Sequence, residues 1–214
     1  MKDALTLADF APLTQQIGEA LAAADEQITA LDAAIGDGDL GVTCKLGMKA
    51  ALESPAKDAE NIADAVLKAG MAFNSAAAST YGALVATSAM RAAKYAKDNA
   101  VTEWDLPALI AALEAAIAGM KQRGGGAELG DKTLLDALIP ALEAMKSARA
   151  EGKTLGEAVH SAAAAAQAGA EATTPLKSKF GRAGWLQDNT IGVQDPGATV
   201  AAIVMRVLAE YVNQ

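Results

Sequence analysis

The chain has 214 residues, 52% of them apolar and only 4% aromatic, which is enough for one domain whose core is packed from alanine and aliphatic side chains. A formal net charge of -8 and a pI near 4.7 exclude general nucleic-acid binding and docking on anionic membrane, because both need a basic surface. A lone cysteine, Cys44, excludes an intrachain disulfide and suits the cytoplasm.

The first element is expected to be one long amphipathic helix. Phe10, Leu13, Ile17, Leu21, Ala24, Ile28 and Leu31 recur at spacings of three and four. Gly36 and Gly38 stop it. Asp32 stands just upstream of these glycines, Asp37 between them and Asp39 directly after them. On a continuous helix these three carboxylates would not share a face, but a chain broken at the glycines can aim them at one point. Carboxylates so close repel one another unless a cation or proton is present. An oxygen-only donor set suits Mg²⁺ or Ca²⁺. Plain turn chemistry, with Asp39 as a helix cap, is the competing reading. A calcium EF-hand fails, because Met48 stands at the twelfth position from Asp37, where a bidentate glutamate is required.

Helices are then expected over about residues 40–52, closed by Pro55, and over about 59–73 and 79–97. Cys44 falls in the first of these as a small buried hydrophobe. Pro107 opens a further helix, with Leu109, Leu113, Ile117 and Met120 inward, and Gly124, Gly125 and Gly126 end it. Gly125 and Gly130 followed by Asp131, Lys132 and Thr133 come near a phosphate-binding P-loop. The spacing is one residue off, and the segment follows a helix rather than a strand, so that reading is rejected. A glycine-rich turn entering a helix can still offer amides to an anion. Asp131 is expected to cap the next helix, with Leu134, Leu135, Leu138, Leu142 and Met145 inward. Thr154 and Glu157 form a capping-box signature for another.

A polar loop follows over about residues 173–194, too long for a compact domain unless it covers a site. Arg182 within it is a candidate oxyanion contact. Trp185 is expected to pack the loop down. Asp195 and Pro196 cap and start a last helix, with Val200, Ile203, Val204, Val207 and Tyr211 on one face. His160, the only histidine, has no second histidine with which to build a dyad, and a structural or exposed role is expected.

The total is about eight helices with no convincing strand, an all-α single domain spanning 1–214. No basic-then-apolar leader and no membrane-spanning run is evident, so a cytoplasmic protein is expected.

Taken in order, the segments Leu31-Asp-Ala-Ala-Ile-Gly-Asp-Gly-Asp-Leu-Gly41, Gly130-Asp-Lys-Thr133, Gly181-Arg-Ala183 and Gln194-Asp-Pro-Gly-Ala-Thr199 resemble the nucleotide-binding L subunit of dihydroxyacetone kinase. The resemblance runs nearly end to end. It implies an antiparallel eight-helix barrel holding ADP or ATP at one end through two Mg²⁺ ions on Asp32, Asp37 and Asp39. Leu40, Gly41, Val42, Thr43, Ser79, Thr80, Gly125, Leu134, Arg182, Asp195, Pro196 and Gly197 fall where that family contacts its nucleotide, and Arg182 would assist transfer. A ketose-binding K-type subunit, and in some systems a phosphohistidine M-type subunit, are the implied partners, and a homodimer stays open. Leu40 stands where the family often has histidine, and Ser79-Thr-Tyr-Gly82 and Gln187-Asp-Asn-Thr190 also depart from it. These changes leave open a related short ketose such as erythrulose. The readings outside this class are a non-catalytic nucleotide-binding regulatory module and a helical bundle holding an apolar ligand.

Overall fold

A computed structural model describes residues 2–214, apart from the side chains of Pro55 and Lys57. The described residues form nine α-helices: α1 Leu7–Ala23, α2 Asp25–Ile35, α3 Leu40–Glu53, α4 Ile62–Ala76, α5 Thr80–Asp98, α6 Leu106–Arg123, α7 Leu135–Ala150, α8 Leu155–Ala172 and α9 Pro196–Val212. The fold class is the expected all-α one. The expected single first helix is two, because the chain bends at Ala24, which closes α1 and opens α2 with its backbone out of helical geometry. The strand-free expectation also needs a small correction. Ala4 and Leu5 pair antiparallel with Asp105 and Trp104, fastening the N-terminal segment to the start of α6.

Eight of the helices close a ring. Each of α3 to α9 packs on the next, and α1 bridges the gap by packing on both α3 and α9. The ninth, α2, lies against α3 and α9. Most connections are short and return successive helices alongside one another, and α9 packs back on α8 across the longer segment 173–195. Helices α3, α5, α7 and α9 therefore begin at the same end of the ring.

Small residues set the spacing. Ala137 and Ala141 of α7 and Ala158, Ala162, Ala166 and Ala170 of α8 are fully buried. A Cβ on Gly169 of α8 would lie 2.1 Å from the Asp136 carbonyl of α7, so only glycine permits that approach. Pro140, inside α7, has no N–H to offer the same carbonyl four residues earlier.

The ring is pinned at the N- and C-terminal segments. The Tyr211 hydroxyl donates to Asp9 at 2.9 Å, and Lys2 pairs with the same carboxylate at 2.8 Å. These partners hold the Asp9 carboxyl down at about 2 despite burial, which acts to raise it. Inside the ring lies an apolar cavity of about 390 Å³, lined by residues such as Ile17, Met48, Phe73, Val85, Trp104 and Leu113. Cys44 is buried, and desolvation pushes its thiol up to about 12. No helix of the described residues is long and apolar enough to cross a membrane.

Candidate functional site

The end of the ring at which α3, α5, α7 and α9 begin holds a second cavity, of about 300 Å³. Its wall is built from the first residues of those four helices and the residues just before them: Asp39 and Leu40, Ser79 and Thr80, Leu134 and Leu135, and Asp195, Pro196 and Gly197. Unpaired amides and aligned peptide dipoles give each helix N-terminus a partial positive charge, so four of them favour an anion at one place.

One wall is acidic. Asp32 sits in the last turn of α2, and Asp37 and Asp39 lie in the break before α3. Each of the three offers an oxygen, and these oxygens lie within 4.8 Å of one another. The local sequence explains the convergence. A Cβ on Gly36 would come within 2.4 Å of Asp32 Oδ1, so glycine leaves room for that carboxylate. Gly38 takes φ +74°, a left-handed turn that reverses the chain toward α3. Asp32 Oδ2 then accepts the Leu40 amide at 3.0 Å, across the break. Asp39 occupies the cap position of α3, but its side chain accepts no capping hydrogen bond. The plain-cap reading of Asp39 therefore does not hold, since its carboxylate is left for the cavity.

Arg182 completes that wall. Its guanidinium contacts the Asp37 carboxylate and lies 3.9 Å from Asp39. A cation among three carboxylates meets the charge requirement read from the sequence. The three oxygen donors, with no nitrogen or sulfur among them, fit a hard divalent ion.

The remaining sequence-predicted residues divide. Leu40, Ser79, Thr80, Leu134, Arg182, Asp195, Pro196 and Gly197 line the cavity, whereas Gly41, Val42, Thr43 and Gly125 do not. Gly41 is turned toward Asp25 and Thr29, where a Cβ would meet side-chain oxygens at 2.2 and 2.3 Å. Val42 is exposed and Thr43 is buried, as the helical rotation of α3 requires. Gly125 lies over the Phe180 ring with φ +82°. Ser79 also caps α5, accepting the Gly82 amide at 3.0 Å. Asp195 caps α9 as expected, accepting the Ala198 amide at 2.7 Å. Burial raises the Asp195 carboxyl to about 7, against the lowering effect of that amide.

Two expectations are corrected. Asp131 does not cap α7, which begins only at Leu135. Its carboxylate instead accepts the Glu128 amide at 2.8 Å and so closes the turn before the helix. Asp136 takes the Gly130 and Thr133 amides at 2.6 and 2.8 Å, holding the approach to α7 out of helical form. Trp185 does not pack the loop down. It is 87% exposed, because the short 3-10 turn Ala183–Trp185 faces it outward. Sequence reasoning gave no role to Tyr81, Lys132 and Phe180, all of which line the cavity. Only Lys132 carried a signal, its place in the P-loop-like stretch. His160 is exposed and lies on a separate groove between α8 and α9.

With this geometry in hand, comparison with known proteins is specific. The DAK2 domain model matches residues 34–210. The PEP-dependent dihydroxyacetone kinase, ADP-binding subunit DhaL, of Escherichia coli (strain K12) is 31% identical over 193 residues, which is 90% of each chain. The L-erythrulose 1-kinase of Mycolicibacterium smegmatis is 33% identical over 195 residues, covering 89% of this chain but 33% of that enzyme. Among solved structures, the dihydroxyacetone kinase of C. freundii in its native form superposes with a TM-score of 0.71 at 30% identity, over 95% of this chain and 34% of that one. The same kinase in complex with AMP-PNP and Mg²⁺ also gives 0.71, at 28% identity.

Proposed function

The chain belongs to the DAK2 domain family, and we propose that it is the nucleotide-binding component of a kinase that phosphorylates a short ketose. The observation that carries this reading is the meeting of Asp32, Asp37 and Asp39 with four helix N-termini at one cavity. An acidic wall alone repels phosphate. Divalent cations on that wall reverse its sign, and the helix N-termini opposite accept the remaining negative charge. A triphosphate chelated to Mg²⁺ satisfies both walls at once. The solved relative bound to AMP-PNP and Mg²⁺ supports this assignment.

Asp32, Asp37 and Asp39 would hold the Mg²⁺, and the arrangement favours two ions, since three carboxylates give each ion a share of negative oxygens. When bound, the metal neutralises phosphate charge and polarises the transferring group. The protein's own part is to bind and orient. The N-terminal ends of α3, α5, α7 and α9 would turn their partial positive charge toward the phosphates. Thr80, exposed at the start of α5, adds a hydroxyl. Arg182 moves from the free carboxylates to the phosphoryl oxygens, which its planar fork fits. Asp195 is committed to the first turn of α9, and His160 lies outside the cavity, so neither serves as a base for an acceptor hydroxyl.

The acceptor therefore sits on another polypeptide or domain. The chain spans 90% of the E. coli subunit but about a third of the single-chain kinases it matches. A K-type ketose subunit is the proposed partner, with an M-type subunit where phosphohistidine is the donor. Exposed apolar residues on the two segments that carry Arg182 and Lys132, namely Trp185, Leu186, Ile191 and Leu129, are the proposed docking residues. Dihydroxyacetone and erythrulose are the proposed acceptors, matching the relatives' named substrates.

The test is a titration of the purified chain with ADP and ATP, with and without Mg²⁺, followed by native mass spectrometry. Binding that requires Mg²⁺ and a retained complex of nucleotide with metal are expected; Mg²⁺-independent binding or none sinks the reading. Adding a ketose-binding subunit with dihydroxyacetone distinguishes a kinase from a regulatory module, which would bind nucleotide and transfer nothing. The apolar cavity inside the ring favours a second reading, a carrier for an apolar ligand. That reading predicts a bound organic molecule and no metal-dependent nucleotide affinity.

A further inference from the structure

The segment 173–195 carries Arg182 to the aspartates, yet its outer part has little to hold it. Gly181, Arg182 and residues 185–189 are exposed, and the turns Ala183–Trp185 and Gln187–Thr190 bond locally. Besides a contact of the turn Gln187–Thr190 with α2 and the Gly192 amide's bond to the Thr174 carbonyl at 2.8 Å, the ties come from the connection between α6 and α7. Lys132 is 2% exposed, and its ammonium donates to the carbonyls of Leu176, Thr190 and Val193 at 3.0, 2.7 and 2.5 Å. An ammonium has three hydrogens and no acceptor, so one loop satisfies it completely. One of those carbonyls precedes Arg182 and two follow it. Lys132 thus draws together the two sides of the loop's neck. The Ser178 amide crosses the same neck to Thr190 Oγ1 at 3.0 Å. Beside it, Asp131 takes the Lys179 ammonium at 2.5 Å and, through its carbonyl, the Lys179 amide at 3.3 Å.

Burying an ammonium is costly, and a methionine or leucine would fill the same volume without that cost. Lys132 moreover adopts φ +60°, a backbone conformation that non-glycine residues rarely take. Both features follow if the task is to gather backbone carbonyls that an apolar side chain would leave unpaired.

We propose that Lys132 is a positioning residue for phosphoryl transfer: it helps close the neck of the loop and so keeps Arg182 at the cavity beside the aspartate cluster, within reach of the phosphates. This rests on the nucleotide site proposed above. Its ammonium is consumed by the loop, so it acts through Arg182 rather than on the phosphates.

The experiment compares Lys132→Met, Arg182→Ala and the double variant in the full chain. It reads Mg·ATP affinity by titration and loop order by amide hydrogen exchange. Lys132→Met is expected to speed exchange within residues 177–193 while α7 and α8 stay protected. It should weaken Mg·ATP on the order of 10-fold or more, as misplacement of a binding group does. In the double variant it should add little to Arg182→Ala, because both act through one contact. Additive losses, or an unchanged affinity in a folded Lys132→Met protein, overturn the proposal. If wild type binds no Mg·ATP, the nucleotide reading fails by itself. Exchange then still decides the loop's anchor, for which unchanged rates in Lys132→Met overturn it. Should Lys132→Met not fold, Thr190→Val loosens the same neck with the lysine in place. Its loss is expected to be non-additive with Arg182→Ala, and additivity overturns the proposal.

Discussion

Asp32 Oδ2 accepts the Leu40 amide at 3.0 Å, so one carboxylate both faces the cavity and bonds the first residue of α3. Asp37, by contrast, touches only Arg182 among the described hydrogen bonds and ion pairs. The two aspartates therefore differ as targets for mutation. Asp37→Asn removes charge with little effect on the helices. We expect unchanged far-ultraviolet circular dichroism and a loss of Mg-nucleotide affinity of about 10–100-fold or more, the range seen when even the supports of a metal site are removed. Calorimetric titration in Mg²⁺ measures this, and full-strength binding would remove Asp37 from the metal set.

Gly36→Ala tests whether space, and not only flexibility, shapes the cluster. The new methyl would lie 2.4 Å from Asp32 Oδ1 and 3.0 Å from the Asp32 carbonyl. The Asp32 side chain must turn away, losing its hold on Leu40. We expect a destabilisation of about 1–3 kcal/mol, as for other overpacked sites, with weakened Mg-nucleotide binding. Urea unfolding and the same titration check both, and a variant equal to wild type in each would show that Asp32 is free to move.

Asp195 makes stability fall with pH. Burial raises its carboxyl from 3.8 to about 7, so in that window the folded chain holds a proton that the unfolded chain has released. The stability gained from this proton is complete below about pH 4 and gone above about pH 7. Asp195→Asn keeps a capping oxygen for the Ala198 amide and removes the titration. Chemical denaturation at pH 5 and pH 8 is expected to show a fall in stability for wild type that is smaller in the variant. Equal slopes would contradict the assignment.

Asp9 acts with the opposite sign. Its carboxyl is held at about 2 by Lys2, Thr6 and Tyr211, so its contribution is complete above about pH 4 and is lost as pH falls through 2. Tyr211→Phe removes the 2.9 Å bond to this carboxylate. A cost of about 1–3 kcal/mol at neutral pH is expected, as for hydrogen bonds to charged groups, with nucleotide affinity unchanged. Thermal unfolding and titration together separate this pin from the site; a loss of affinity would link the two ends of the ring.

Much of the molecule was legible from local chemistry. Apolar residues at spacings of three and four, Pro107 and Pro196 at helix starts, and the Thr154–Glu157 box all depend on contacts within one or two turns. The structure has that box, with Thr154 and Glu157 bonded at 2.8 Å. The bend at Ala24 was not legible, since the apolar spacing continues through it and both α1 and α2 lay their apolar residues against the same helices, α3 and α9. Asp131 misled for a related reason: its sequence suits a helix cap, but Asp136 competes for the amides that would have begun the helix. Trp185 looked like an anchor on composition alone, and the turn that carries it faces outward.

By itself, the sequence determined what local periodicity can encode: which stretches are helical, where most of them stop, and that Asp32, Asp37 and Asp39 stand beside two glycines able to break a helix. Tertiary structure alone decided what those aspartates face. Ring closure brings α3, α5, α7 and α9 to one end, and no local pattern carries that information, because it depends on which helices become neighbours. It also decided which motif residues reach the cavity. Gly41, Val42 and Thr43 follow the aspartates directly in sequence, yet helical rotation turns them away. Lys132, far along the chain, is brought to the cavity by three carbonyls of the loop that carries Arg182.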